Sequence, residues 1–310
     1  MSAEVGSGFL DLPEDHRRPD SSRVHVLPVP LEETVSYAGG TRGGPAAIIE
    51  ASKQVEVFDR ALGSEPALAY GIHTLSAVPV EPGPIEAVLD RIQGAVAAIV
   101  AAGKLPVVLG GEHTVTIGPV RAAHAASRPG ARRLAIVQVD AHADLRSDYQ
   151  GSPYSHACVM RRLLELTGCE LIQVGIRSLC AEEDAFIREN PDRVRTFFAD
   201  DIHADPAGGW LAELAARLQG RPVYLTIDVD GLDPSVIPAT GTPEPGGLSW
   251  RQAMTLLETV TRAAAAIVGI DCVELAPAPG MHAADFAAAK LLYRAISLSM
   301  RSRRESSRPS

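Results

Sequence analysis

Cysteine is scarce. The 310 residues hold four (Cys158, Cys169, Cys180 and Cys272), with no CxxC pair among them. That spacing argues against a zinc knuckle or a redox dithiol, and a reduced cytoplasm is the expected location. No apolar run is long enough to span a bilayer. Met1 to Asp20 is polar and contains proline, without the apolar core of a secretory signal. Positive charge is in deficit, with 29 Lys and Arg against 38 Asp and Glu and a formal net charge of −9. The balance disfavours nucleic acid and anionic membranes as partners and mildly favours a cationic ligand. There is no GxGxxG and no glycine loop followed by Lys-Ser/Thr, so a phosphate-binding loop is not expected. No internal repeat is visible.

What is present is an alternation of apolar runs and amphipathic segments. Strands are expected at Val24–Val29, Leu105–Leu109, Leu134–Val139, Leu171–Gly175, Val194–Phe198, Val223–Ile227 and Ala266–Val273. Helices are expected from Pro45 to about Ala51, over 85–103, Ile117–Ala126, Val159–Leu166, Ala181–Asn190, Leu211–Leu218, Trp250–Ala264 behind a Ser249 cap, and Ala283–Met300. The strands are continuous apolar runs, as in strands buried on both faces. The expected fold class is α/β, with a mostly parallel central sheet between helical layers. A single domain is expected over 24–299, after a polar N-terminal segment 1–23 and before a disordered charged tail 300–310.

Two segments follow β-formers and carry ligand-type side chains: Asp140-Ala-His142-Ala-Asp144 and Asp228-Val-Asp230. In extended chain, side chains two apart share a face, so each set can converge on one point. His113 joins them from Gly110-Gly111-Glu112-His113, where the glycines permit a tight turn. Each motif alone also reads as an ordinary turn, and His113 alone as a core or capping histidine. Together they place ligand-type residues past several strand ends, the edge where open α/β sheets bind ligands. Clustered carboxylates need a positive partner. Four Asp and two His balance two divalent cations, a two-metal hydrolytic centre. Oxygen and imidazole donors without thiolate suit manganese better than tetrahedral zinc. His156, opening a helix after Ser152-Pro-Tyr-Ser155, reads as a catalytic histidine or a plain first-turn residue. Glu274 reads as a strand-end carboxylate or a receptor for a planar cation.

These motifs, with Ser155-His156 and Asp228 to Leu248, resemble the ureohydrolase family of arginase, agmatinase and relatives. The resemblance covers roughly Val24 to Ser299. It implies a three-layer α/β/α sandwich and two manganese ions. One ion would be held by His113, Asp140, Asp144 and Asp228, the other by Asp140, His142, Asp228 and Asp230, with Asp140 and Asp228 bridging. His156 would be the catalytic histidine and Glu274 would bind the guanidinium of a small cationic substrate. A homo-oligomer, trimer or hexamer, is implied. The short stretch Leu145–Ser155 is similar to agmatinases, and implies hydrolysis of agmatine to putrescine and urea rather than arginase activity. Either Asp230 or His156 would carry the proton to the leaving amine. Asp148 and His282 are candidates for the far end of the substrate. Other readings are a guanidinobutyrase, a guanidinopropionase, an arginase, a formiminoglutamase, or a metal-binding regulatory subunit without turnover.

Overall fold

The structure, a computed structural model, describes residues 8–127 and 132–305. Its eight strands are β1 (Val24–Val29), β2 (Ile72–Thr74), β3 (Leu105–Gly110), β4 (Ala135–Val139), β5 (Glu170–Ile176), β6 (Val194–Phe198), β7 (Pro222–Asp228) and β8 (Ala266–Val273). They form one sheet in the order β2-β1-β3-β8-β7-β4-β5-β6, and every pairing is parallel. Parallel neighbours require crossovers, and the amphipathic segments between the strands supply them. Those helices are α1 (Gly44–Ser52), α2 (Pro66–Tyr70), α3 (Ile85–Ala101), α4 (Ile117–Ala125), α5 (Val159–Thr167), α6 (Ala181–Glu189), α7 (Ala199–Ala204), α8 (Gly209–Leu218), α9 (Trp250–Ala263) and α10 (His282–Glu305). Among the described residues, no helix is long and apolar enough to cross a membrane.

Two cores flank the sheet. Val107, Val137 and Leu225 face α1, α8, α9 and α10. Val108, Ile136 and Tyr224 face α3, α4 and α5. Successive strand residues alternate between these cores, which gives the three-layer α/β/α sandwich. All four cysteines are free thiols. The Ser249 cap is present as a capping box, Ser249 Oγ receiving the Gln252 N–H at 3.3 Å.

Three elements differ from expectation. β2, α2 and α7 are too short to carry a readable period. The segment before Val24 is not simply polar. Its described part buries Phe9, Leu10 and Leu12 in the core, each worth about 1.5–3 kcal/mol. Its backbone is tied down too, Leu10 N–H donating to Ser52 Oγ at 2.8 Å. Helix α10 continues past Met300 to Glu305, so the charged residues after Met300 extend a helix rather than begin a tail. The remainder of the proposed tail, 306–310, lies outside the described residues.

Candidate metal centre

The four central strands, β3, β8, β7 and β4, lie side by side, and each leads into a residue of the site. After β3 the chain turns at Gly110-Gly111. A Cβ on Gly111 would stand 2.0 Å from the Leu31 carbonyl oxygen, so only glycine fits this close approach. His113 follows and opens a 3₁₀ turn ahead of α4. Asp140 directly follows β4, Asp228 is the last residue of β7, and Glu274 directly follows β8.

The extended geometry expected beyond β4 and β7 does not by itself converge the ligands. Asp228 caps a 3₁₀ turn, Val229–Gly231, accepting the Asp230 N–H at 3.0 Å. Asp144 sits at φ +53° and Glu274 at φ +63°. Left-handed backbone at non-glycine residues costs energy and clusters at functional sites. Turns therefore bring Asp144, Asp230 and Glu274 inward.

The convergence is tight. His113 Nδ1 lies 3.1 Å from Asp140 Oδ2, 3.0 Å from Asp144 Oδ2 and 3.4 Å from Asp228 Oδ2. His142 Nδ1 lies 3.0 Å from Asp230 Oδ2 and 3.7 Å from Asp140 Oδ1. Two clusters result, His113–Asp140–Asp228 and Asp140–His142–Asp230, each with donor atoms within 4.8 Å of one another and with Asp140 common to both. All but His142 are buried.

Burial pushes the Asp228 carboxyl well above its ordinary value, and the neighbouring Asp230 and Asp140 charges push it further. Burial and the Asp140 charge raise Asp144 to about 7. Burial opposes protonation of His113 and His142, but the surrounding carboxylates prevail, raising His113 strongly and His142 to about 12. So many carboxylates at this spacing repel unless a cation replaces the protons.

The residues fit a pair of divalent ions. His113 Nδ1 is buried without a hydrogen-bond partner, although three carboxylate oxygens surround it. Its other nitrogen is occupied, Nε2 lying 2.9 Å from Thr226 Oγ1. That arrangement points Nδ1 at the carboxylates, as a ligand histidine is held. The donors are oxygen and imidazole only, which suits a hard or borderline divalent ion.

A buried polar row supports the centre. Thr196 Oγ1 donates to Gln173 Oε1 at 2.8 Å, Gln173 Nε2 donates to Gln138 Oε1 at 2.7 Å, and Gln138 Nε2 donates to Asp140 Oδ2 at 2.8 Å. Strand register places Thr226 beside Gln138 and Asp271 beside Thr226. Two residues further along β4 and β7 come Asp140 and Asp228, so the row and the ligands share one face. Thr196, Gln173, Gln138, Thr226 and Asp271 were not singled out from the sequence. The available signal was glutamine in the middle of an apolar run.

Above the centre is a cavity of about 310 Å³, lined by His113, His142, Asp144, Asp228, Asp230, His156 and Glu274 among others. Asp140 lies fully buried beneath it. Glu274 Oε1 accepts the His113 N–H at 2.6 Å, leaving Oε2 free of that bond. Burial and the Glu112 charge raise Glu274 to about 8, so a bound cation would favour its charged form. Burial lowers His156 more than the Glu112 charge raises it. Asp148 and His282 do not line the cavity. Asp148 Oδ1 instead accepts the Gly151 N–H at 3.0 Å, and His282 opens α10. Half-buried Glu244 also lines the cavity. Its carbonyl is gripped by Arg177, whose guanidinium donates to Glu244 O at 2.6 Å and to Asp230 O at 2.7 Å.

Residues 22–297 match the model of the Arginase family. The chain belongs to the arginase family. An N(1)-aminopropylagmatine ureohydrolase of Thermus thermophilus is 42% identical over 279 residues, covering 90% of this chain and 91% of that protein. An agmatinase of Bacillus anthracis is 36% identical over 266 residues, covering 85% of this chain and 87% of the relative. The crystal structure of agmatine ureohydrolase of Thermoplasma volcanium superposes with a TM-score of 0.81 at 34% identity, covering 96% of each chain. Within the family, then, this hydrolase is similar to agmatinases along nearly its whole length.

Proposed function

We propose that this arginase-family hydrolase cleaves the guanidinium of agmatine, giving putrescine and urea. The observation that carries the reading is the joining of two carboxylate–imidazole clusters through Asp140, beneath a cavity that also presents Glu274. His113, Asp140, Asp144 and Asp228 would hold one divalent ion, and Asp140, His142, Asp228 and Asp230 the other. Manganese is the ion proposed. Such a pair supplies a water-derived nucleophile at neutral pH.

The chain's own groups do the rest. Glu274 Oε2 accepts guanidinium N–H bonds and presents the guanidinium carbon to the centre. As the carbon–nitrogen bond breaks, the leaving nitrogen needs a proton, which His156 or Asp230 delivers. Glu244, also in the cavity lining, accepts the substrate's far ammonium. Arg146 also lines the cavity, but its guanidinium stacks on Tyr149 at 4.9 Å and lies 4.0 Å from Glu183, which leaves less of its charge for a substrate carboxylate. Arginine's carboxylate would thus be buried without adequate partners.

N(1)-aminopropylagmatine is the second reading, favoured by the name of the Thermus relative. A cytoplasmic homo-oligomer, trimer or hexamer, completes the proposal.

Urea release should be measured with manganese against agmatine, aminopropylagmatine, arginine, guanidinobutyrate and guanidinopropionate. The highest kcat/KM is expected for agmatine. A higher value for aminopropylagmatine moves the assignment to the second reading. A higher value for arginine or a guanidino acid overturns recognition by Glu244, and no urea from any of them overturns the ureohydrolase reading.

A further inference from the structure

The loop after β1 lines the cavity with Val35, Ser36 and Tyr37 and is pinned at both ends by carboxylates. At its far end Glu32 accepts the Gly40 N–H at 3.1 Å and the Arg42 N–H at 2.7 Å. At its near end the fully buried Glu112 accepts the N–H groups of Glu33 and Thr34, each at 2.7 Å, on Oε2. Its other oxygen, Oε1, accepts the Thr34 hydroxyl at 3.0 Å.

That last bond has a consequence for His156. A hydroxyl has one proton and two lone pairs, and an ionised carboxylate only accepts. With its proton committed to Glu112, Thr34 Oγ1 can only accept from other partners. It takes the backbone N–H of His156 at 2.9 Å and faces the ring nitrogen Nδ1 at 3.2 Å. Were Nδ1 unprotonated, Thr34 would stand between two acceptors with one proton to share, leaving a polar contact unmade. Nδ1 therefore carries the hydrogen. A neutral imidazole then has its lone pair on Nε2, which lies 3.3 Å from the exposed Ser36 hydroxyl.

We infer that Glu112 and Thr34 are positioning residues that lock His156 in the Nδ1-protonated form and make Nε2 the nitrogen that exchanges protons in the cavity. The assignment rests on the ureohydrolase reading for its catalytic meaning, and it favours His156 over Asp230 as the donor to the leaving amine. The balance is simple: as water adds to the guanidinium carbon, Nε2 takes up the proton that water loses and becomes imidazolium, then returns it to the leaving nitrogen as the carbon–nitrogen bond breaks. Water is the one co-reactant.

The direct test reads the ring. Histidine-selective ¹⁵N labelling of the protein loaded with a diamagnetic divalent ion, with His156→Gln to assign the signal, reports which nitrogen is protonated. In the unaltered protein Nδ1 should carry the hydrogen. Thr34→Val should lose that preference and Thr34→Ser should restore it. Glu112→Gln should reverse it, because an amide N–H facing Thr34 makes the hydroxyl donate to Nδ1. Thr34→Val should also lower kcat about 10- to 100-fold, the usual loss for an outer partner of this kind, with KM changed much less and metal content retained. Thr34→Ser should recover most of that kcat. Hydrogen on Nε2 in the unaltered protein, or an unchanged ring and kcat in Thr34→Val, would overturn the inference. If the unaltered protein releases no urea from any guanidino compound, the functional reading fails, while the ring measurement still decides the hydrogen's position.

Discussion

Asp140 and His156 separate two kinds of dependence. Asp140 belongs to both clusters, is buried, and has its oxygens oriented by the His142 N–H at 2.6 Å and by Gln138. Asp140→Asn removes a negative charge from both sites, so metal analysis should find both ions lost or weakly held. His156 is in neither cluster. His156→Ala should keep both ions while kcat falls about 10²–10⁴-fold, the range for a positioned proton-transfer group. Full metal occupancy in Asp140→Asn would sink the shared-ligand assignment, and loss of metal in His156→Ala would make it a ligand. At this scale the sequence was legible where ligand types sat close together, at 140–144 and 228–230. It was silent about the bond between Thr34 and Glu112, which stand 78 positions apart.

The strands and longer helices were readable because their apolar periods run over enough residues to be recognised. What that reading missed was how strand ends turn. Gly231 shows the point. An added Cβ would lie 2.6 Å from the Asp140 backbone nitrogen, so the turn carrying Asp230 can approach β4 only with glycine there. Gly231→Ala should push these elements apart, lower stability by about 1–3 kcal/mol as overpacking does, and weaken metal binding. Gly94→Ala, inside α3 where the new Cβ meets nothing within 4 Å, should instead stabilise by about 0.5–1 kcal/mol through its helix preference. Denaturant unfolding of the two variants checks the contrast. A Gly231→Ala protein as stable and as metal-competent as the unaltered chain would show that the approach is not required.

Taken as a whole, the molecule joins its central strands through the charge of the site. Residues of β3, β4 and β7 and the turns after them crowd four carboxylates against two imidazoles. Ions that bind only the folded chain stabilise it by mass action, about 2.7 kcal/mol per site at a hundredfold excess over Kd. Chelation should therefore lower Tm by roughly 5–10 °C, and added manganese should restore it. Equal melting with and without chelator would mean that the clusters do not hold ions in the folded protein.

The sequence by itself determined the α/β alternation, the buried character of the strands and the two ligand-bearing segments, because these are local properties of composition and spacing. Tertiary structure decided the rest. Strand order put β3, β8, β7 and β4 side by side, so four distant strand ends met at one edge. Register stacked Thr196, Gln173, Gln138, Thr226 and Asp271 into one polar row, each needing a neighbour on another strand to satisfy it. The loop from Glu32 to Arg42 reached His156 because Glu112, fixed just beyond β3, holds its backbone beside the cavity. Such partnerships depend on which surfaces the folded chain brings together, and no single stretch of sequence contains both members.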